Sequence, residues 1–148
     1  MMSDELQKQP KPQIYVAAYS DAQSMIDLAT NPTREHFNFI QAAITSRTAY
    51  VARIGPETVG YAVMAKTFFG HAFISHIFVH PDHRRKTLAS MLIHYLEENA
   101  GSKKIFTSTG QSNQPACALF EKLGYQTSGQ IENLNPHGSE QIYFKSLP

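Results

Sequence analysis

The chain has 148 residues, the size of one ordinary domain, and 42% of them are hydrophobic while 17% are charged, which is the profile of a soluble globular protein. A formal net charge of +1 argues against an extended basic surface that binds nucleic acid or an anionic membrane. Any electrostatic function must therefore be local. The single cysteine, Cys117, excludes an internal disulfide, and no apolar run approaches the ~20 residues of a membrane helix. We therefore expect a cytoplasmic protein that binds neither nucleic acid nor a membrane.

The N-terminal third of the chain predicts a leader, a strand and two helices. Residues 1–12 are polar and contain two prolines, so we predict a flexible leader ahead of one domain over residues 13–148. The segment QIYVAAYS alternates like a first strand, and Ser20 or Asp21 then offers the N-cap of a short helix. A second helix is predicted to close near Ser46, from apolar residues at helical spacing: Phe37, Ile40 and Ile44.

The remaining two thirds predict strands that alternate with two further helices. TAYVARI and TVGYAVMAKTFF are β-rich runs joined by the turn GPE, and AFISHIFV is a third such run. A helix is predicted from Thr87 to Asn99 because one apolar stripe runs along it: Leu88, Met91, Leu92, Tyr95 and Leu96. KKIFTST is a strand, NQPACALFEKLG a helix, and YQTSGQIENL with EQIYFKSL a closing pair of strands. The order β-α-α-β-β-β-α-β-α-β-β predicts a mixed α/β sheet covered by helices.

Positive charge is concentrated between the predicted strand that ends at Val79 and the helix that begins near Thr87. A helix N-terminus exposes unpaired backbone N–H groups and the positive end of the helix dipole, so it attracts anions. Arg84, Arg85 and Lys86 are unfavourable there for the helix alone, but they suit a bound phosphate or pyrophosphate. A solvated basic loop is the alternative interpretation of RRK by itself.

Two motifs extend this interpretation. VHPDHRRKTLASMLI resembles the signature of the GNAT superfamily of acyl-coenzyme A dependent N-acyltransferases, in which a strand ending in Val-x-Pro precedes Arg/Gln-x-x-Gly-x-Gly/Ala and a helix. NQPACALFEKLGY resembles the later helix motif of that family, Asn-x-x-Ala and then Leu-Tyr-x-Lys-Leu-Gly-Phe/Tyr, at the usual spacing. The resemblance covers nearly the whole chain from Ile14 onward, and it implies a single-domain GNAT-type fold with a mixed, mostly antiparallel sheet flanked by helices.

The resemblance also implies an activity and a co-substrate. It implies an N-acetyltransferase that moves the acetyl group of acetyl-coenzyme A directly to an amine, on a small molecule or a protein, in a ternary complex without a metal ion. Backbone N–H groups near the basic run would hold the pyrophosphate, and the fourth strand would pair with the pantetheine arm. The implied coenzyme residues are Phe78, Val79, Arg84, Arg85, Lys86, Thr87, Leu88, Ala89, Asn113 and Phe120.

Two of these residues depart from the family pattern. Thr87 replaces the first glycine of the signature, so its side chain crowds the approach of the backbone to phosphate, although its hydroxyl can donate a hydrogen bond. Phe120 replaces a tyrosine that protonates the departing thiolate in many members. Either another group protonates the thiolate, or the thiolate leaves unassisted, which a thiol pKa of ~8.5 permits. Tyr125 is expected to pack in the core rather than to substitute for that acid.

Ser75 and His76 are the catalytic candidates. Ser75 can hold a water that relays the amine proton, and His76 is a residue type that titrates near neutral pH, although strand alternation points it to the opposite face. His71 is a comparable alternative to His76, and Cys117 is expected to be a small buried residue. The histidine series His76, His80 and His83 predicts no metal site, because it runs from a strand into a loop.

The sequence leaves the acceptor and one competing function open. Aminoglycosides, polyamines, amino acids and protein amines all remain candidate acceptors, and the polar segment NLNPHGSE is a candidate cover for the acceptor site. Thr87 and Phe120 together motivate the alternative of a coenzyme A sensor that has lost transfer. A basic-loop nucleic-acid binder is a third hypothesis, which the near-neutral charge disfavours. Exposed final strands often pair in this family, so the resemblance also implies a homodimer.

Overall fold

The computed structural model describes residues 11–84 and 87–148. Most of the predicted leader, residues 1–10, and two of the predicted coenzyme residues, Arg85 and Lys86, lie outside the described residues. The described chain forms two compact units. The first contains residues 11–61, 78–84 and 87–89, and the second contains residues 62–77 and 90–148. The single domain over residues 13–148 stays a prediction.

The described residues contain the predicted order of elements. The strands are β1 Gln13–Val16, β2 Ala49–Ile54, β3 Glu57–Phe68, β4 His71–Val79, β5 Lys104–Gly110, β6 Gln126–Asn135 and β7 Gly138–Ser146. The α-helices are α1 Ala22–Ile26, α2 Arg34–Thr45, α3 Leu88–Glu98 and α4 Gln114–Lys122. Short 3-10 helices at Tyr19–Asp21 and Pro81–His83 precede α1 and follow β4. None of the helices in the described part is long and apolar enough to cross a membrane.

The strands form a seven-stranded sheet in the order β1-β2-β3-β4-β5-β7-β6. β4 and β5 are parallel, whereas β1 pairs with β2, and β7 with both β5 and β6, in antiparallel fashion. Parallel neighbours need a crossover connection, and α3 provides it between β4 and β5. The predicted α/β fold with a mixed, mostly antiparallel sheet is confirmed.

In the first unit, the start of α1 differs from the prediction. Asp21 occupies the N-cap position, but its side chain makes no capping bond to the helix. Its carboxylate instead accepts hydrogen bonds from the Ala18 backbone N–H at 2.8 Å and from Arg53 at 2.7 Å, and the contact with Arg53 is a partly buried ion pair. The helix α2 ends at its C-cap Ser46, as predicted, and the structure adds that Thr33 caps its start by accepting from the His36 N–H.

The helix α3 begins at Leu88, one residue later than predicted, because Thr87 has a φ of 64° and cannot continue a right-handed helix. The predicted apolar stripe is present but wider than expected, since Ile93 is fully buried beside the predicted members Leu92 and Leu96. The helix α4 begins at Gln114, directly after its N-cap Asn113, where the motif predicts its start.

Candidate functional site

The strands β4 and β5 are paired at their beginnings only. Their register runs from Ala72 opposite Ile105 to Ile74 opposite Thr107, and the Thr107 hydroxyl donates to the Ile74 carbonyl at 2.9 Å. Within the described residues no further β4–β5 pair follows, although β4 continues to Val79 and β5 to Gly110. The backbone of an unpaired strand edge can pair with an extended ligand. We call the stretches of β4 and β5 that do not pair with each other, from Ser75 and Ser108 onward, the notch; the sequence predicts the pantetheine arm there.

The end of β4 is fixed by the first residue of the basic run. Arg84 donates from Nε to the Val79 carbonyl at 3.1 Å, and its guanidinium carbon lies 5.5 Å from the centre of the Phe78 ring. The Phe78 ring is in turn stacked on Tyr61, with ring centres 5.9 Å apart. The structure thus brings the candidates Phe78, Val79 and Arg84 together, and it uses the Arg84 side chain to hold the strand end and the following turn.

The anion-binding element predicted from the sequence corresponds to the N-terminus of α3. Leu88 is buried and anchors the first turn, whereas Ala89 is half-buried and Thr87 is exposed. The first backbone N–H groups of an α-helix lack intrahelical acceptors and carry the positive end of its dipole. Thr87 adopts the left-handed conformation that glycine tolerates best, at the position where the family signature has glycine.

The two catalytic candidates contact each other. His76 Nδ1 lies 2.9 Å from Ser75 Oγ, so the imidazole reaches its neighbour despite the alternation that predicts opposite faces. Both side chains are exposed, and Ser75 Oγ also lies 3.5 Å from the Val63 carbonyl. A hydroxyl and an imidazole at this distance can pass a proton between them. Their catalytic role remains a prediction.

The candidates on α4 have different surroundings. Asn113 Oδ1 accepts from the Ala116 N–H at 3.3 Å, which caps the helix and leaves the amide NH₂ available. Phe120 is only 5% exposed and packs against the rings of Tyr125 and Tyr143, with ring centres 5.6 and 5.5 Å away. Cys117 is half-buried rather than fully buried, with Sγ 3.9 Å from the Gly110 carbonyl.

The fold and the two motifs agree with a comparison to known families. Residues 10–125 match the family described as Acetyltransferase (GNAT) family. The chain belongs to the GNAT acetyltransferase family. The resemblance seen in the sequence is therefore confirmed.

Individual relatives match only part of this chain, at about a third identity. The streptothricin acetyltransferase of Escherichia coli is 30% identical over 104 residues, which are 68% of this chain and 60% of that protein. The human cysteine-rich protein 2-binding protein is 36% identical over 63 residues, which are 43% of this chain and 8% of that protein. The chain therefore spans less than two thirds of each of these relatives.

Solved structures support the same family assignment. A GNAT acetyltransferase from Bacillus cereus superposes with a TM-score of 0.86 at 27% identity, covering 93% of this chain and 99% of the other. Ard1 from Thermoplasma volcanium superposes with a TM-score of 0.80 at 16% identity, covering 93% and 98%. The second likeness is one of fold.

In this GNAT protein, Tyr125 is a core residue, as the sequence predicts. Its hydroxyl donates to Glu97 Oε2 at 2.7 Å, and Lys145 Nζ lies 3.1 Å from the same oxygen. Lys145 also donates to the Leu123 carbonyl, and His94 lies 3.4 Å from the other Glu97 oxygen. Burial, the hydrogen bond to Glu97 and the Glu97 charge all raise the pKa of Tyr125. Tyr125 therefore keeps its proton and stabilises the second unit.

The first prediction concerns this hydroxyl. Tyr125→Phe should lower the free energy of unfolding by about 1 to 2 kcal/mol, because a bond to a charged acceptor is lost while Lys145 still partners Glu97. Since the folded-state pKa is raised, the contribution is complete below the unfolded value of about 10 and disappears only as the pH rises through the folded value. Urea unfolding at several pH values up to about 10 should show a constant difference. A difference that vanishes near neutral pH would contradict the assignment.

One polar group near the notch is absent from the predicted site. Glu140 on β7 accepts from Ser108 Oγ at 2.8 Å and from Asn135 Nδ2 at 2.7 Å. The only sequence signal was the segment NLNPHGSE, predicted as a covering loop. That prediction is wrong in form, because β6 extends to Asn135 and β7 begins at Gly138, so the connection is a tight turn. The segment therefore contributes strand residues to the sheet.

Proposed function

We propose that the chain transfers the acetyl group of acetyl-coenzyme A directly to an amine within a ternary complex. The match to the GNAT family over residues 10–125 is the observation that carries this proposal. The amine nitrogen attacks the thioester carbonyl, a C–N bond forms, the C–S bond breaks, and coenzyme A leaves as the thiol after protonation. Catalysis comes largely from proximity and from polarisation of the carbonyl by the backbone near Val79.

The described geometry supports coenzyme binding by main-chain groups. The open edge after Ile74 offers pairing to the pantetheine arm, for which Phe78, Val79 and Asn113 remain the candidate residues. The first turn of α3, with Leu88 and Ala89, offers N–H groups to the pyrophosphate. Charge from the basic run adds a screened attraction to that contact. No metal ion is part of the proposed reaction.

The contact between Ser75 and His76 supports a proton relay. The attacking amine must lose a proton as the C–N bond forms, and an imidazole 2.9 Å from a hydroxyl can accept it through that hydroxyl or through a water molecule. The pair then releases the proton to solvent. In this proposal His76 is the base and Ser75 holds it near the amine.

The acceptor is an amine on a small molecule or a protein. The name of the Escherichia coli relative makes streptothricin the first acceptor to test, and peptides with free N-termini and lysine side chains form a second class. A homodimer and a cytoplasmic location remain predictions of the sequence.

An acceptor screen tests the proposal. Purified protein with acetyl-coenzyme A is mixed with streptothricin, polyamines, amino acids and peptides, and free thiol is measured over time. Thiol release that depends on one class of amine supports transfer. Binding of acetyl-coenzyme A without release for any amine supports the sensor alternative, and steeply salt-dependent binding to RNA or DNA would support the third hypothesis.

A second prediction follows from Thr87, which motivates the sensor alternative. A β-branched residue at a φ of 64° is strained, so Thr87→Gly should raise the free energy of unfolding by about 1 kcal/mol. It should leave affinity for acetyl-coenzyme A unchanged or tighter, because it removes a side chain from the approach to phosphate. Calorimetric titration and urea unfolding measure both effects.

Arg47 provides a matched control for Thr87→Gly. It is exposed, has a φ of 59° and directly follows the C-cap of α2. Arg47→Gly should raise stability by a similar amount without changing coenzyme affinity. Weaker coenzyme binding in Thr87→Gly alone would show that the threonine side chain contributes to the site.

A further inference from the structure

The carboxylate of Glu140 is held in a fixed orientation by two neutral groups. Ser108 Oγ donates to Oε2 at 2.8 Å, and Asn135 Nδ2 donates to Oε1 at 2.7 Å. The three side chains come from β7, β5 and the end of β6, and each is only partly exposed. A flexible glutamate is thereby converted into a rigid, half-buried acceptor.

The charge of this carboxylate is not balanced within the described chain. Among residues 11–84 and 87–148, the ion pairs involve Asp21, Glu57, Asp82 and Glu97, and none involves Glu140. A carboxylate has about four lone-pair positions, and two of them are used by Ser108 and Asn135. Each oxygen therefore keeps capacity for a cationic donor.

The register of the second unit places this group at the open end of the β4–β5 notch. Phe73 is paired with Phe106, and Phe106 with Phe144, so these residues share one row and one face. Side chains alternate along strands, so the next residues on that face are Ser75 on β4 and Ser108 on β5. One further step on β5 is Gly110, which is paired with Glu140.

The catalytic candidate Ser75 and the Glu140 carboxylate are thus on the same face, beyond the last β4–β5 pair. An amine that reacts near Ser75 can extend along this face toward β7. A positively charged group on that extension would meet the Glu140 carboxylate, which Ser108 and Asn135 hold by hydrogen bonds and which has no ion pair among the described residues.

We propose that Glu140 binds a second cationic group of the acceptor and so selects amines that carry two or more positive charges. This inference rests on the proposed acetyl transfer. Partial burial lowers the local dielectric and strengthens attraction to an ammonium, which offers three donors to the two carboxylate oxygens. Orientation by Ser108 and Asn135 fixes the carboxylate before the acceptor arrives.

Glu140→Gln with two matched acceptors tests the proposal. The variant keeps the shape and one carbonyl oxygen but removes the charge. For an α,ω-diamine the KM should rise about tenfold, whereas for the monoamine of the same chain length it should change less than about twofold. The affinity for acetyl-coenzyme A should stay as in the wild type, since Glu140 is not among the proposed coenzyme residues.

Glu132→Gln is the control, because this substitution removes the same charge from an exposed position on β6. It should leave the KM of both amines unchanged. An equal rise of KM for diamine and monoamine in Glu140→Gln, or equal effects of the two variants on the diamine, would overturn the proposal.

The two proposals can fail separately. If the wild type acetylates neither these two amines nor any acceptor of the screen, the proposed function fails, and calorimetric titration of the diamine onto the coenzyme A complex then decides on Glu140 alone. Loss of diamine binding in Glu140→Gln, with retention in Glu132→Gln, supports the site. Absence of diamine binding to the wild type, or binding that Glu140→Gln does not weaken, rejects it.

Discussion

Ala89→Leu should abolish measurable coenzyme binding, with a loss of affinity of at least about hundredfold, or about 2.8 kcal/mol. Ala89 lies in the first turn of α3, where it is half-buried, and the family signature has glycine or alanine there. A leucine side chain at this point keeps phosphate oxygens from the backbone N–H groups. Each lost hydrogen bond to a charged group is worth about 1.5 to 3 kcal/mol, so two lost bonds account for the effect.

Removal of charge in the same segment should have a much smaller effect. Lys86→Ala should weaken binding only a few-fold, because the attraction of a single charge to a phosphate is screened at physiological salt. Glu98→Leu places the same leucine at an exposed position of the same helix and controls for a general effect on α3. Calorimetric titration of acetyl-coenzyme A, with circular dichroism as the check of folding, separates these variants.

A greater loss in Lys86→Ala than in Ala89→Leu would refute binding by main-chain groups. The Arg84 geometry already favours the main-chain interpretation. Its guanidinium is engaged with the Val79 carbonyl and the Phe78 ring, so its charge stabilises the strand end.

Local sequence signals predicted the elements, because their causes are local. Thr33 and Asn113 cap helices by accepting from N–H groups three residues away, and the helix after Asn113 begins where its motif indicates. The different periodicities of strands and helices likewise predicted the order of the elements along the chain. The first family motif likewise predicted that the loop before α3 binds coenzyme, because the residues of that motif are consecutive in the chain.

Contacts between distant residues were not predictable in the same way. The bond between Tyr125 and Glu97 joins residues 28 apart, and Ser108 meets Glu140 across 32 positions. The position of Asn135 also depends on irregular register between β6 and β7, which shifts between Ile131 and Asn135. A shift of one residue reverses the face of every later side chain, so the Glu140 group could not be derived from alternation alone.

Phe120→Tyr should raise turnover by up to ~10² to 10⁴-fold if the thiolate now leaves without an acid, which is the range of a positioned general acid. The substitution restores the hydroxyl that many GNAT proteins have at this position. Phe120 is 5% exposed, so a hydroxyl that finds no partner should also cost about 1 to 3 kcal/mol of stability. Single-turnover measurement of thiol release separates the chemical step from product release. Phe106→Tyr is the control and should leave turnover unchanged. Phe106 is half-buried and is paired with Phe144, so it lies on the face of the sheet opposite to Tyr143, on which Phe120 packs.

The pH dependence of turnover decides between an unassisted thiolate and a second acid. Without an enzyme acid, turnover should rise with pH as the acceptor amine loses its proton and then stay level. A bell-shaped profile, with no gain from Phe120→Tyr, would contradict unassisted departure. Tyr143 and Cys117 are then the residues to replace: burial, with Cys117 and Glu121 nearby, raises the pKa of Tyr143, whose ring packs on Phe120. Loss of the alkaline limb in Tyr143→Phe would assign the acid to β7, and its loss in Cys117→Ser would assign it to α4.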